Sequence, residues 1–246
     1  MKDNEQIMQE FDSREDSYWL YSGRLVILER LLRGFLHEGG RLLNVGCGPG
    51  ATSRLAESLG VEAVSFDFSL EALQFTRNRG LKQLVRGDSL RLPFRDSGFD
   101  ALLCLDVAEH IEDDRQVAKE LLRMLKPGHG KLLLSVPADR WQWTSRDVVF
   151  GHYRRYTTRS LSKLLQGAGF RLDFITHFNS ILFPLALIDI VLDRFRAPLK
   201  EKNCYPDFNR PLNWIFHRIF SFERHFLPRP GFPFGKSLIC LCTRPD

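Results

Sequence analysis

The chain has little of what marks a secreted, disulfide-stapled or membrane-spanning protein. Its 246 residues hold five cysteines, Cys47, Cys104, Cys204, Cys240 and Cys242. The number is odd and three of them fall in apolar runs, so reduced, mostly buried thiols in a cytosolic protein are expected. Cys240 and Cys242 alternate along one predicted strand, but no second pair completes a zinc site. Long apolar runs are missing too: the longest, residues 181–192, is too short to cross a bilayer and contains Pro184 and Asp189. Residues 1–16 are polar and acidic, without a charged-then-apolar leader pattern. Neither sign of charge dominates. A net charge of +5 suits an anionic substrate, a nucleic acid or a membrane surface and selects none of them. No repeat or low-complexity tract appears.

What is present is a globular composition, 43% hydrophobic, over a length that suits one domain with an insertion. Short apolar runs at 42–45, 61–66, 84–86, 99–105 and 131–136 read as strands. Helical spacing fills 25–36, 52–58, 70–78 and 115–125 between them, with Gly and Pro as punctuation. That alternation predicts βαβ units, a mostly parallel sheet, and a ligand site outside the carboxyl ends of the strands. Beyond Pro137 the reading is a basic-aromatic loop over 141–156, a helix over 158–168 and a strand over 170–178. A Phe- and Pro-rich insertion over 180–234, helical in parts, precedes a last strand over 237–242.

Four features fall at the strand ends: the cluster Gly46-Cys47-Gly48-Pro49-Gly50, then Asp67, Asp88 and Asp106. Glycines between a strand and a helix N-terminus let backbone approach a ligand, and Gly46, Gly48 and Ala51 satisfy the dinucleotide form G-x-G-x-x-A. Asp67 lies twenty-one residues past Gly46. A carboxylate there can accept both hydroxyls of a ribose, whether from a nicotinamide or a sulfonium nucleotide.

The discriminating run is Gly87-Asp88-Ser89-Leu90 with Leu92-Pro93-Phe94. It is followed by Phe99-Asp100, Leu105-Asp106-Val107-Ala108-Glu109-His110-Ile111 and Leu125-Lys126-Pro127-Gly128. In this order and spacing, with Leu43-Asn44-Val45 ahead of the glycines, the chain resembles the class I methyltransferases that use S-adenosylmethionine (SAM). The resemblance implies a doubly wound α/β fold. Its seven-stranded, mostly parallel sheet would have the last strand antiparallel, and residues 180–234 would form a helical cap within a single 1–246 domain. It also implies SAM as cofactor and S-adenosylhomocysteine as product.

Carried over by position, Gly46, Cys47, Gly48 and Gly50 would pass beneath SAM, and Asp67 would bind its ribose. Phe68 would pack on the adenine, Asp88 would accept the adenine amino group, and Ser89 would offer backbone. Leu105 or Asp106 would face the methionyl end. Arg24, in a segment with Trp19 seen in some members, would pair with the SAM carboxylate. Asn44 departs from the acidic residue usual at its position, so the methionine ammonium would lean more on backbone carbonyls.

His110 is the expected general base, since an unperturbed imidazole titrates near neutral pH. His152, Tyr153, Arg154, Arg155 and Tyr156 are the expected acceptor-binding residues, able to grip an anion. Asp106, Glu109, His110 and His152 also resemble the metal-binding pattern of small-RNA 2′-O-methyltransferases and a segment of ubiquinone-pathway O-methyltransferases. The expectation here is no metal, with those four as the residues that would hold one. The function expected is methyl transfer to a small-molecule or lipid/glycan-linked acceptor, at oxygen. No nucleic-acid partner is expected. A cytoplasmic monomer or homodimer is, with peripheral contact at the inner membrane as an option. The alternatives are a metal-dependent RNA 2′-O-methyltransferase, a nicotinamide oxidoreductase that leaves Asp88 unexplained, and a silent SAM-binding scaffold.

Overall fold

A computed structural model describes residues 4–195 and 206–246, with side chains from residue 8 onward. Cys204 and the middle of the insertion lie outside the described residues. In chain order the elements begin with α1 (Asn4–Glu15), α2 (Trp19–Leu32), β1 (Arg41–Val45), α3 (Ala51–Ser58), β2 (Glu62–Asp67), α4 (Leu70–Asn78) and β3 (Leu84–Arg86). They continue with β4 (Ala101–Leu105), α5 (Asp114–Met124), β5 (Lys131–Pro137), α6 (Ser145–Val149), α7 (Thr158–Ala168) and β6 (Arg171–Phe178). Last come α8 (Phe183–Asp193), α9 (Arg210–Phe222) and β7 (Ser237–Thr243).

The seven strands lie in the order β3-β2-β1-β4-β5-β7-β6. All neighbours pair in parallel except β7, which is antiparallel to both β5 and β6. The order reverses between β1 and β4, so a crevice opens at their carboxyl ends, as doubly wound sheets require. The central strands are buried on both faces and read as continuous apolar runs for that reason. Leu43, Val45, Leu102 and Leu134 meet α5 and α7 on one face; Leu42, Leu103 and Leu133 meet α2, α3 and Phe220 of α9 on the other. Cys240 and Cys242 are both buried in the first of these cores.

Local chemistry explains several boundaries. Ser69 accepts a hydrogen bond from the Ala72 N–H and starts α4, Asp113 does the same for α5, and left-handed Gly169 ends α7. Two elements differ from the sequence reading. Residues 4–15 form a helix, and the expected loop over 141–156 contains α6, started by a reciprocal Thr144–Asp147 capping box. Among the described residues, no helix is long and apolar enough to cross a membrane.

Candidate active site

The loop after β1 is built so that only glycine fits at its first turn. Gly46 has φ of 71°, and a Cβ there would stand 2.3 Å from Val107 of the loop after β4. The two loops that flank the crevice are therefore in backbone-to-side-chain contact. At Gly48 the neighbour is Phe11 of α1, 3.1 Å from where a Cβ would be. Gly50 sits against Thr76, and the Cys47 thiol, 3.7 Å from the Thr76 hydroxyl, is buried and pushed up in pKa by that burial.

Asp67 ends β2 beside this loop. One carboxylate oxygen accepts the Gly48 N–H at 3.0 Å and the other accepts the Ser69 N–H at 2.9 Å. Burial pushes its carboxyl up, against the pull of those two bonds. The Phe68 N–H adds to these, and the carboxylate keeps acceptor capacity for a further donor such as a ribose hydroxyl. Phe68 next to it is 70% exposed, an unusual state for a phenylalanine and a free face for an adenine ring. Asp88 is exposed, with one oxygen accepting the Leu90 N–H, and Ser89 is half-buried beside it. Glycine cradle, carboxylate, aromatic face and second carboxylate thus fit an adenine nucleoside.

Arg24 and Asp106 come together at the end of β4. Arg24 pairs with Asp106, and its other terminal nitrogen donates to Ser135 Oγ at 2.6 Å. Burial alone would raise Asp106, but the Arg24 charge, with hydrogen bonds from Arg24 and Ser135, holds it below the usual carboxylate range. The guanidinium is thus already engaged by a protein carboxylate. Leu105 is half-buried at the end of β4. Asn44 is 2% exposed, and its amide donates to Ser53 Oγ at 2.9 Å, with Ser65 donating on to the same oxygen. In that position it belongs to a buried polar chain between β1, β2 and α3, where a neutral amide costs less than a carboxylate.

A tight turn over 108–110 carries Glu109 and His110 past β4. The Tyr153 N–H donates to the Glu109 carbonyl at 2.8 Å and brings His152 to His110, their ring centroids 4.7 Å apart. His152 Nδ1 lies 2.8 Å from Asp147, which also takes a bidentate contact from Arg155 at 2.8 and 3.0 Å. Burial would raise Asp147, but the His152 and Arg155 bonds and the Arg155 charge hold it well below the usual range. Burial of the imidazole among its neighbours lowers His110, and His152 adds to the push, although the residue as a whole is exposed. His110 is therefore a neutral base at pH 7, with one ring nitrogen bonded to the Phe150 carbonyl.

The expected anion grip is largely spent on internal partners. Besides Asp147, Arg155 holds the Ala138 carbonyl at 3.0 Å, Arg154 pairs with Asp114 at 2.8 Å, and the Tyr156 hydroxyl donates to Asp114 at 2.9 Å. Tyr153 remains, 57% exposed. The sequence reading missed four contributors: Phe11 and Glu15 of α1, Asp147, and Lys236. The last sits among Arg155, Asp147, Arg146 and Asp189 and is lowered to about 8, by burial first and then by Arg155. Of these, only Asp147 left a signal, the Thr-x-x-Asp box.

The strand order and the strand-end loops define a doubly wound α/β protein of the methyltransferase kind. A methyltransferase-domain family model matches residues 43–134. The chain is similar to a ubiquinone biosynthesis O-methyltransferase of Xanthomonas oryzae, 35% identical over 103 residues, covering 39% of this chain and 43% of that one. It is similar as well to a Mycolicibacterium smegmatis protein named an S-adenosylmethionine-dependent methyltransferase, 28% identical and covering 65% of this chain and 62% of that one. Among solved structures, a chain in the complex of the Haloferax volcanii Trm112 methyltransferase activator with a methyltransferase shares the fold. Its TM-score is 0.66 at 17% identity, over 98% of this chain and 95% of that one. Over residues 43–134 the chain is thus similar to SAM-dependent methyltransferases, and its fold is theirs. It matches less than two thirds of the length of either curated relative.

Proposed function

We propose that this protein transfers a methyl group from SAM to a hydroxyl of a small or lipid-linked acceptor. The observation that carries the reading is the position of the His110 imidazole, in the turn at the carboxyl end of β4 beside the crevice, with its pKa lowered by its surroundings. When bound, SAM supplies a methyl group on a sulfonium, already activated toward a nucleophile in line with the breaking bond. Gly46, Gly48 and Gly50 would lie under it, Asp67 would bind its ribose hydroxyls, and Phe68 and Asp88 would hold the adenine. What the protein must add is position and a place for the acceptor proton. With one His110 nitrogen bonded to the Phe150 carbonyl, the other keeps its lone pair and can take that proton. Oxygen is favoured because a hydroxyl must lose a proton during transfer, whereas a neutral amine needs no base before attack.

Support for a lipid-linked acceptor comes from α8. Leu185, Ile188, Val191, Leu192 and, just beyond the helix, Phe195 are 40–84% exposed along one stripe. The helix is tied to α6, beside the His152 loop, through Asp189–Arg146 and Asp193–Ser145.

Calorimetry with S-adenosylhomocysteine, with NAD as the control ligand, tests the cofactor half. Micromolar binding of the first ligand alone is expected. Asp67→Ala should weaken it by about 10–100-fold, since charge-assisted bonds contribute about 1.5–3 kcal/mol each. A preference for NAD would overturn it. Labelled methyl transfer to phenolic and polyprenyl-linked hydroxyls, in wild type and His110→Gln, tests the acceptor half. Transfer to amines alone would overturn that half and leave the cofactor half standing.

A further inference from the structure

Lys236 precedes β7 and lies at the carboxyl end of β5, because Ser237 pairs with Pro137 and the Ala138 N–H donates to the Lys236 carbonyl at 3.0 Å. The residue is half-buried, and among the described residues its ammonium has no hydrogen bond or ion pair. Its charged neighbours are Arg155, Asp147, Arg146 and Asp189. Both carboxylates already have cation partners. Asp147 takes Arg155 and His152, and Asp189 takes Arg146. Three cations against two carboxylates leave one positive charge over, and it is the lysine's. A half-buried ammonium without a counter-ion lowers the stability of the free protein. Two buried polar atoms beside it lack partners as well. Gln142 Nε2 donates to the Gly235 carbonyl at 2.9 Å, while its Oε1 has no donor. The His177 Cβ lies 3.1 Å from where a Cβ on Gly235 would stand, and its Nε2 has no hydrogen bond, Asp139 being 3.5 Å away. An ammonium, an imidazole and an amide oxygen, all beside Gly235 and Lys236 and all unpaired, ask for a polar occupant.

We propose that Lys236, His177 and Gln142 form a subsite for a phosphate monoester carried by the methyl acceptor. The bare phosphate oxygens accept from the ammonium and the imidazole, and a P–OH donates to Gln142 Oε1; a carboxylate or a sulfate has no proton to give that oxygen. This rests on the methyl-transfer reading and leaves the His110 lone pair to the acceptor hydroxyl. Asp147 ties the two places together. It is a charged neighbour of Lys236, and it binds His152, whose ring packs on that of His110. Asp189, another neighbour of Lys236, belongs to α8, so a phosphate here lies at the foot of the helix that carries the exposed apolar stripe.

The test titrates inorganic phosphate into the full chain at constant ionic strength, by calorimetry, with the Lys236 side-chain NMR signal followed alongside. Saturable binding in the low millimolar range is expected, with Lys236 titrating above its free value of about 8. Sulfate should bind more weakly, and equal binding of the two would overturn the phosphate assignment. Lys236→Met keeps the apolar stem and removes the unpaired charge. It should weaken phosphate by at least about 10-fold and raise the thermal midpoint. Lys236→Arg should keep most of the binding, and Lys163→Met, on the exposed side of α7, should change neither quantity. Dodecyl phosphate separates the sources. Binding tighter than that of inorganic phosphate, with the advantage lost in Leu185→Asp with Ile188→Asp, makes the source a lipid headgroup; equal binding makes it a water-soluble phosphate. Phosphate binding that survives Lys236→Met, or a midpoint that falls on that substitution, overturns the subsite and leaves the methyltransferase reading intact. S-adenosylhomocysteine affinity, measured on the same samples, should be unchanged by Lys236→Met. A chain that binds phosphate through Lys236 and no S-adenosylhomocysteine overturns that reading instead.

Discussion

Arg24 of α2 grips Asp106, eighty-two residues further along the chain, at the point where β4 leaves the sheet. Asp106 has φ of 56°, in the left-handed region, so the contact holds a residue that its own backbone preference would not. Arg24→Met strips a half-buried carboxylate of its partner and should cost about 1–3 kcal/mol, read as a lower urea midpoint. Asp106→Asn in the same chain should recover part of the loss, because the charge left unpaired is then gone. Asp106 is depressed in the folded state, so its contribution is present above the unfolded value of 3.8 and is lost as pH falls through the folded one. The gap between wild type and Arg24→Met should therefore close below about pH 4. A gap that holds constant down to acid would mean that Arg24 acts through packing on Phe178 alone.

Gly46 tests the contact between the two crevice loops. Gly46→Ala adds a methyl group 2.3 Å from the Val107 side chain at a φ of 71°. Overpacking and left-handed strain each cost about 1–3 kcal/mol. The thermal midpoint should fall, and S-adenosylhomocysteine binding should weaken by more than that fall explains, since both loops must shift. Gly46→Ala with Val107→Ala removes the clash and keeps the strain, so it should recover part of the midpoint. No recovery would show that strain alone governs the loop.

The sheet and the loops at its strand ends were legible because their signals are local. Short apolar runs marked all seven strands, and β2, β4 and β6 start only slightly later than read. The glycine cluster, Asp67 and Asp88 lie at strand ends by topology, so their neighbourhood followed from the βαβ pattern. What escaped depends on partners far away in sequence. Arg155 and Tyr156 look like a basic-aromatic grip until Asp147 and Asp114 are found beside them. Arg24 could not be matched to Asp106, nor Asn44 to Ser53, before the helices were packed. Helix α1 is polar through most of its length and is seated by a few residues, among them Phe11 at Gly48, Glu15 at Ala51 and Asp12 at Arg79, so periodicity carried little of it.

Glu15 makes the seating of α1 depend on pH. Its carboxyl accepts the Ala51 N–H at 3.2 Å and lies 3.2 Å from Arg79. Burial outweighs that arginine and raises it to about 7 from an ordinary 4.5. A carboxyl raised on folding contributes stability that is full below its unfolded value and is lost as pH rises through the folded one. Docking of α1 should weaken between about pH 4.5 and 7, by about 3–4 kcal/mol in all. Hydrogen exchange of α1 amides, corrected for the intrinsic rate, reads this directly, and Glu15→Gln should flatten the profile. An α1 that grows better protected as pH rises would mean that the Arg79 pair dominates. Because Phe11 lies on Gly48, S-adenosylhomocysteine affinity should change with α1 protection.

The exposed stripe of α8 gives the acceptor question a measurable side. Ile188 is 57% exposed and Phe195 is 84% exposed, and the Asp189–Arg146 pair fixes the helix against α6. If the stripe rests on a lipid surface while the acceptor enters, the wild-type chain should co-sediment with phosphatidylglycerol vesicles. Leu185→Asp with Ile188→Asp should abolish that. Each buried large aliphatic side chain contributes about 1.5–3 kcal/mol, so the pair should lower the partition coefficient by at least about 100-fold. Both positions face solvent, so the double variant should keep its thermal midpoint and its S-adenosylhomocysteine affinity. Transfer to a detergent-solubilised polyprenyl acceptor should persist while transfer to the same acceptor in vesicles drops. Equal loss on both would place the stripe in acceptor binding itself, and no loss on either would mean that a water-soluble acceptor is the natural one.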